Sequence, residues 1–271
     1  MKRPRKPVLA IVVPCYNEEE ALPETAKRLS EKIAALVSGR RISPKSTLLF
    51  VDDGSGDNTW ALIEEFHAAN PLVFNGVKLS ANRGHQNALF CGLLSVKDCA
   101  DAAISIDADL QDDIDAIDRM LESYLSGAEI VFGVRSGRES DGCFKRISAR
   151  FFYRLMRLLG ARLVDNHADF RLMGREAMNA LAERGEANLF LRGAIPLLGY
   201  KQELVYYDRK KRQAGKSKYT LARMLAFALD GIFSAGVLGK HMGKIYGRVK
   251  RRPAYRVEKT LFAPEPVNEN G

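Results

Sequence analysis

The chain has 271 residues, 42 Lys/Arg against 33 Asp/Glu, a net charge of +9 and 46% hydrophobic residues. That is enough chain for one large domain or two small ones, and the composition excludes wholesale disorder. The longest stretch without Lys, Arg, Asp or Glu runs from Gly84 to Val96, well short of the ~20 residues a bilayer requires.

Taken in chain order, residues 8–13 form a continuous β-branched apolar run, which predicts a buried parallel strand. Residues 18–37 carry a helical rhythm at Ala21, Leu22, Leu29, Ile33 and Leu36. A strand is expected over 46–51, a helix over 57–69 with Asp57 as cap, and a strand over 72–79. A helix over 84–97, a strand over 102–106, a helix over 113–125 and a strand over 129–134 follow. Strand–helix alternation with short loops implies a doubly wound, mostly parallel sheet with helices on both faces. Ligands of such sheets bind outside the carboxyl ends of the strands.

Beyond residue 134 the pattern changes. Phe144, Ile147, Phe151, Leu155 and Leu158 form one helical stripe, and Arg146, Arg150, Arg154 and Arg157 another. Both a solvated basic face and a membrane-facing helix fit. A strand is expected over 202–208, followed by Arg209-Lys210-Lys211-Arg212, an apolar helix over 219–233, a basic stretch over 240–256 and a frayed tail over 264–271. Residues 201–260 hold 16 Lys/Arg and 4 Asp/Glu, whereas residues 1–200 hold 26 and 27. The basic, amphipathic C-terminal segment therefore calls for an anionic partner. Two domains are expected: 1–218 catalytic, and 219–271 helical, basic and membrane-associating. The four cysteines show no CxxC or zinc spacing, which suits a reduced, cytosolic protein.

Three predicted strand ends carry chemistry: Pro14-Cys15-Tyr16-Asn17-Glu18, Val51-Asp52-Asp53-Gly54-Ser55 and Asp107-Ala108-Asp109-Leu110-Gln111. In a doubly wound sheet these loops converge, and several carboxylates in one cleft call for a cation. Asp-x-Asp at a strand end offers hard oxygen ligands to Mg²⁺ or Mn²⁺, and Gln111 offers one more. Gly215-Lys216-Ser217 is not a phosphate-binding P-loop, because Lys210 stands where that motif needs Gly. No GxGxxG follows a strand, which argues against a nucleotide-dependent oxidoreductase. A nucleic-acid-binding module would use the basic segment but would leave the acidic strand ends without a role.

These loops resemble the signature of family-2 inverting glycosyltransferases of the GT-A fold. Asn82-Arg83-Gly84-His85-Gln86, residues 131–135, Asp169-Phe170-Arg171-Leu172-Met173 and residues 212–219 narrow the resemblance to the polyprenyl-phosphate type, which includes bactoprenyl-phosphate glucosyltransferases and dolichol-phosphate mannose synthases. The resemblance implies that Pro14, Tyr16, Glu18 and Asp53 hold the nucleotide, that Asp107 and Ala108 flank the nucleotide sugar, and that Asp109 and Gln111 bind the metal. It implies that Arg135 faces the acceptor phosphate and that Arg212 and Lys218 close over the diphosphate. Lys145 or Arg146 would join Arg135 at the acceptor. Asp107, Asp109, Arg135 and Asp169 are the catalytic candidates, with Asp169 either a base, an orienting carboxylate or a structural partner of Arg171 or a neighbouring cation. The implied reaction moves glucose, or else GlcNAc, galactose, mannose or a modified arabinose, from a nucleoside diphosphate (UDP favoured) to polyprenyl phosphate. The product would be a lipid-linked sugar donor for cell-envelope glycans. Many bacterial relatives carry two transmembrane helices between segments like 230–234 and 239–243, which here are separated only by residues 235–238. A peripheral protein on the anionic cytoplasmic face of the plasma membrane is expected, with homo-oligomers suggested by relatives and no nucleic-acid partner.

Overall fold

The computed structural model describes residues 6–136, 167–184, 191–208 and 255–263. The expected helices over 144–158 and 219–233 and the basic stretch up to residue 254 lie outside them. The described elements are β1 (Leu9–Cys15), α1 (Leu22–Ser38), β2 (Thr47–Asp52), α2 (Thr59–Ala69), β3 (Phe74–Leu79), α3 (His85–Val96), β4 (Ala102–Ser105), α4 (Ala116–Leu125) and β5 (Ile130–Ser136). They continue with β6 (His167–Gly174), α5 (Arg175–Arg184), α6 (Leu191–Ala194), β7 (Gln202–Asp208) and β8 (Val257–Leu261).

One eight-stranded sheet runs in the order β7-β5-β6-β4-β1-β2-β3-β8. β1 pairs in parallel with β2 and β4, β2 with β3, and β5 with β7. Every residue of β1 is buried, as a strand covered on both faces requires. Leu9, Ile11 and Val13 face the layer containing α1, α2 and α4, while Ala10 and Val12 face α3 and α5. The expected α/β sheet with helices on both faces is present. Gly92 lets α3 sit close, since a Cβ there would stand 2.4 Å from Val12 Cγ1.

Helix boundaries differ from the sequence expectation in small ways. α1 starts at Leu22 rather than at 18, because the Glu18 carbonyl accepts the Ala21 and Leu22 amides in a turn that precedes it. The N-cap residue of α2 is Asn58 rather than Asp57, whose Oδ1 accepts the Thr59 N–H at 3.0 Å from one position earlier.

Two strands were not foreseen. β6 inserts antiparallel between β4 and β5. Its first residues, not its last, therefore reach the edge where β1, β2, β4 and β5 end. β8 pairs antiparallel with β3, Leu79 opposite Val257. The end of β7 and the start of β8, which flank residues 209–254, thus both lie on that carboxyl edge.

Candidate active site

The carboxyl edge gathers the three loops singled out in the sequence. Loops after β1 and β2 are tied together: the Asp53 amide donates to the Cys15 carbonyl at 2.9 Å, the Asn17 amide to Ser55 Oγ at 2.9 Å, and the Gly56 amide to Asn17 Oδ1 at 2.8 Å. Asn17 adopts φ 52°, a left-handed conformation that Asn tolerates. The Glu18 amide donates to Thr59 Oγ1. Pro14 is buried, while Tyr16 is exposed on the rim.

Asp53 is buried and its carboxylate accepts the Arg83 and Gly84 amides at 2.7 and 2.8 Å. Burial pushes its pKa up, and the two amides oppose the rise. Asp53 thereby pins the 82–84 loop against the β2 end. Gly54 makes this contact possible: its φ is +69°, and a Cβ would meet the Ala81 carbonyl carbon at 2.6 Å.

After β4, the Ala108 carbonyl accepts a hydrogen bond from Thr25 Oγ1 at 2.6 Å, and Asp109 Oδ1 accepts the Gln111 amide at 3.2 Å. Leu110 at φ 53° turns the chain. Burial raises the Asp107 carboxyl to about 6; His85 opposes the rise, and Asp112, Asp169 and Asp109 add to it. The loop therefore carries excess negative charge at neutral pH. Among the described residues no three His, Cys, Asp or Glu side chains converge into a metal cage. Asp109 and Gln111 fit a divalent cation held by few protein oxygens and completed by a ligand.

The sequence reading overlooked Asp112. It is buried and accepts Arg135 Nη2 at 3.0 Å, Arg135 Nε at 3.3 Å and the Tyr207 hydroxyl at 2.6 Å. Arg135 keeps 30% of its side-chain exposure. Burial works against its charge, but Asp112 more than compensates and raises its pKa. The end of β5 is thus fastened to the loop carrying Asp109, three residues before Asp112.

Asp169, at the start of β6, accepts hydrogen bonds from Arg171 Nη2, Gln86 Nε2 and Arg192. Burial alone would raise its pKa; Arg192 and Arg171 override it and hold the carboxyl well below the usual range. His85 Nε2 stands 3.2 Å from Asp169 Oδ2 and 3.7 Å from Asp107 Oδ1. Burial lowers the imidazole pKa, but Asp169 and Asp107 raise it overall. The sequence signals no role for Arg192 and, for His85, gives only its place in the Asn82–Gln86 segment. The candidates Lys145, Arg146, Arg212 and Lys218 lie outside the described residues.

The chain matches Glycosyl transferase family 2 over residues 10–181. The chain belongs to this family. It is 42% identical to the uncharacterized glycosyltransferase YkoT of Bacillus subtilis, with 95% of this chain and 93% of that one covered. That alignment runs over 314 positions, more than the residues present here, so YkoT carries internal segments that this chain lacks. The bactoprenol glucosyl transferase of Shigella phage SfX is 36% identical, with 83% and 72% covered. Glucosyl-3-phosphoglycerate synthase from Mycobacterium tuberculosis, solved with Mn²⁺, UDP-glucose and phosphoglyceric acid, superposes with a TM-score of 0.51 at 18% identity, covering 84% of this chain and 79% of that one. The family-2 chain therefore has the GT-A type of fold. No helix among the described residues is long and apolar enough to cross a membrane.

Proposed function

We propose that this family-2 chain transfers a sugar, glucose favoured, from a UDP-sugar to the phosphate of a polyprenol with inversion at the anomeric carbon. The observation that carries the reading is the Asp112–Arg135 pair. It places a partly exposed guanidinium next to the loop of Asp107 and Asp109, so that an acceptor phosphate and a nucleotide sugar can meet on one edge. The names of the phage relatives support the lipid acceptor, and the ligands of the Mycobacterium tuberculosis enzyme support the donor class.

In this reaction an acceptor phosphate oxygen attacks the anomeric carbon. The bond from that carbon to the diphosphate oxygen breaks, and UDP leaves with the electron pair. A phosphate monoester has a second pKa near ~6, so its attacking oxygen is already largely deprotonated at cytosolic pH and no general base is required. Asp169, saturated by cationic donors, serves as an orienting carboxylate rather than a base. Arg135, joined by Lys145 or Arg146, neutralises the incoming phosphate and aligns it. Pro14, Tyr16, Glu18 and Asp53 shape the nucleotide site, and Asp107 with Ala108 borders the sugar. Mg²⁺ or Mn²⁺ on Asp109 and Gln111 would supply charge stabilisation to the diphosphate. Arg212 and Lys218 would add cations to that same group.

The chain is assigned to the cytoplasmic face of the membrane as a peripheral protein. Support comes from the basic C-terminal sequence, whose flanks at β7 and β8 emerge on the site-bearing edge. The test is transfer from radiolabelled UDP-glucose to a short-chain polyprenyl phosphate with Mn²⁺. A lipid-linked glucosyl phosphate of inverted configuration is expected. Absence of any lipid product with UDP-glucose, UDP-GlcNAc, UDP-galactose, a UDP-linked modified arabinose and GDP-mannose would refute the reading. Sedimentation with anionic but not neutral liposomes, reversed by salt, is expected for a peripheral protein.

A further inference from the structure

Asp169 sits between two guanidiniums. Arg171 is fully buried and reaches Asp169 Oδ1 with Nη2. Arg192 lies side-on, Nε to Oδ1 at 3.2 Å and Nη2 to Oδ2 at 2.9 Å. Asp107 is a second carboxylate acting on Arg171 and His85. The buried Arg171 Nη1 has no hydrogen-bond partner. His85 Nε2 lies at charge-pair distance from both Asp169 and Asp107. A fully buried guanidinium nitrogen left unsatisfied is costly.

The cluster reaches solvent at Arg192. Its side chain is 43% exposed, whereas Asp169 is 5% exposed. A guanidinium fixed in plane by a side-on carboxylate has lost its rotamer freedom in advance, so a second anion binds it at lower entropic cost. Through His85 the cluster touches Asp107, and hence the loop that borders the donor sugar.

We propose that Arg192, held by Asp169 and backed by Arg171 and His85, is a phosphate-binding residue of the active site. This rests on the glycosyl-transfer reading for the identity of its phosphate, which comes either from the nucleotide diphosphate or from the acceptor monoester. The shared chemistry is a phosphate oxygen against a pre-aligned guanidinium. Arg192 adds a cation at the start of β6, the strand next to the β5 that carries Arg135.

The test titrates the wild-type chain, R192A and R192K calorimetrically with three probes: inorganic pyrophosphate, UDP, and a short-chain polyprenyl monophosphate. R192A is expected to weaken at least one probe tenfold or more. R192K, which keeps charge but not the fork, is expected to fall between. Selective loss of pyrophosphate and UDP assigns the site to the donor, and selective loss of the lipid phosphate assigns it to the acceptor. Wild-type binding of pyrophosphate with neither UDP nor lipid binding would remove the glycosyl-transfer reading, while a pyrophosphate loss in R192A would still uphold the site. Affinities for all probes within twofold in R192A overturn the proposal. So does a wild type that binds none of them. A uniform loss accompanied by a lowered melting temperature, with the charge-retaining R192K no better than R192A, also overturns it and makes Arg192 a structural strut.

Discussion

Replacing Asp112 by Asn isolates what holds Arg135. The substitution keeps an oxygen for the Tyr207 hydroxyl at its 2.6 Å site, but replaces the carboxylate that meets Arg135 Nη2 at 3.0 Å with a neutral amide. Leaving a fully buried charge without its partner costs about 3–5 kcal/mol. Arg135 retains 30% side-chain exposure, so water recovers part of that cost, and about 2 kcal/mol is expected. For a chain of this size that corresponds to a melting-temperature drop of about 4–8 °C.

The partner variant is Arg135→Met, which removes the cation while keeping a flexible apolar stem. If the ion pair is the source of the loss, the double variant should melt above D112N, because no unpaired charge remains. Scanning calorimetry on the four proteins closes the cycle, with a coupling of about 1–2 kcal/mol expected. The catalytic readout is separate: D112N should raise the acceptor KM several-fold while UDP affinity stays within about twofold. A D112N protein melting within about 1 °C of wild type, or a double variant no more stable than D112N, would refute this account of Arg135.

Three further outcomes are expected. Asp107 has a folded pKa of about 6 against ~3.9 unfolded, so the folded state holds its proton more tightly and stability from this group falls as pH rises from about 4 to about 6. The side chain is still 35% exposed, so after discounting for solvent Asp107→Asn should stabilise by about 1–2 kcal/mol at pH 7.5 and hardly at all at pH 4, read as melting temperature against pH; a pH-independent difference contradicts it. Gly54→Ala forces a left-handed alanine, at about 1–2 kcal/mol, against the Ala81–Asn82 backbone at 2.6–2.7 Å, and should abolish UDP binding, measured by calorimetry, before the global melt is lost. Asp109→Asn should weaken Mn²⁺ binding about tenfold and cut transfer sharply with little change in melting; transfer indifferent both to EDTA and to this substitution would remove the metal from the reaction.

How far the sequence reveals the site depends on what sets each element. β1, β2 and β4 are legible because both their faces are buried, which leaves continuous apolar runs ending abruptly in Pro14, Asp52 and Asp107. β6 is not, because Asp169 and Arg171 interrupt it like the exposed residues of a half-wet strand, yet both are buried. Their pairing with each other and, for Asp169, with Arg192 makes that burial tolerable, and such pairing leaves no periodic trace. β8 is an exposed edge strand with Glu258 and Lys259 at its centre, fixed by its ladder to β3 rather than by its own composition. Asp112 is hidden in the polar run from Gln111 to Asp113. Arg192 follows no pattern at all, since its significance comes from an antiparallel insertion that carries Asp169 to the site.

That insertion also shapes the electrostatics of the proposed reaction. Four carboxylates of the described cleft, Asp107, Asp109, Asp112 and Asp169, stand against Arg135, Arg171, Arg192 and a His85 whose pKa is raised. The balance is close to neutral. A nucleotide diphosphate and a phosphate monoester together bring roughly four negative charges, which a neutral, partly dehydrated cleft cannot hold in contact. Positive charge must therefore be supplied on binding. A divalent ion at Asp109 and Gln111 offsets about half of it. The remainder falls to cations in the basic segments, residues 209–254 above all, with 13 Lys/Arg and one Asp. The ends of that segment are attached by β7 and β8 on the edge where the charge is needed. In this reading the asymmetry between a neutral body and a basic C-terminal region serves two anions at once, the substrates and the lipid surface from which one of them comes. Attachment of the segment at the opposite edge of the sheet would have separated those two tasks.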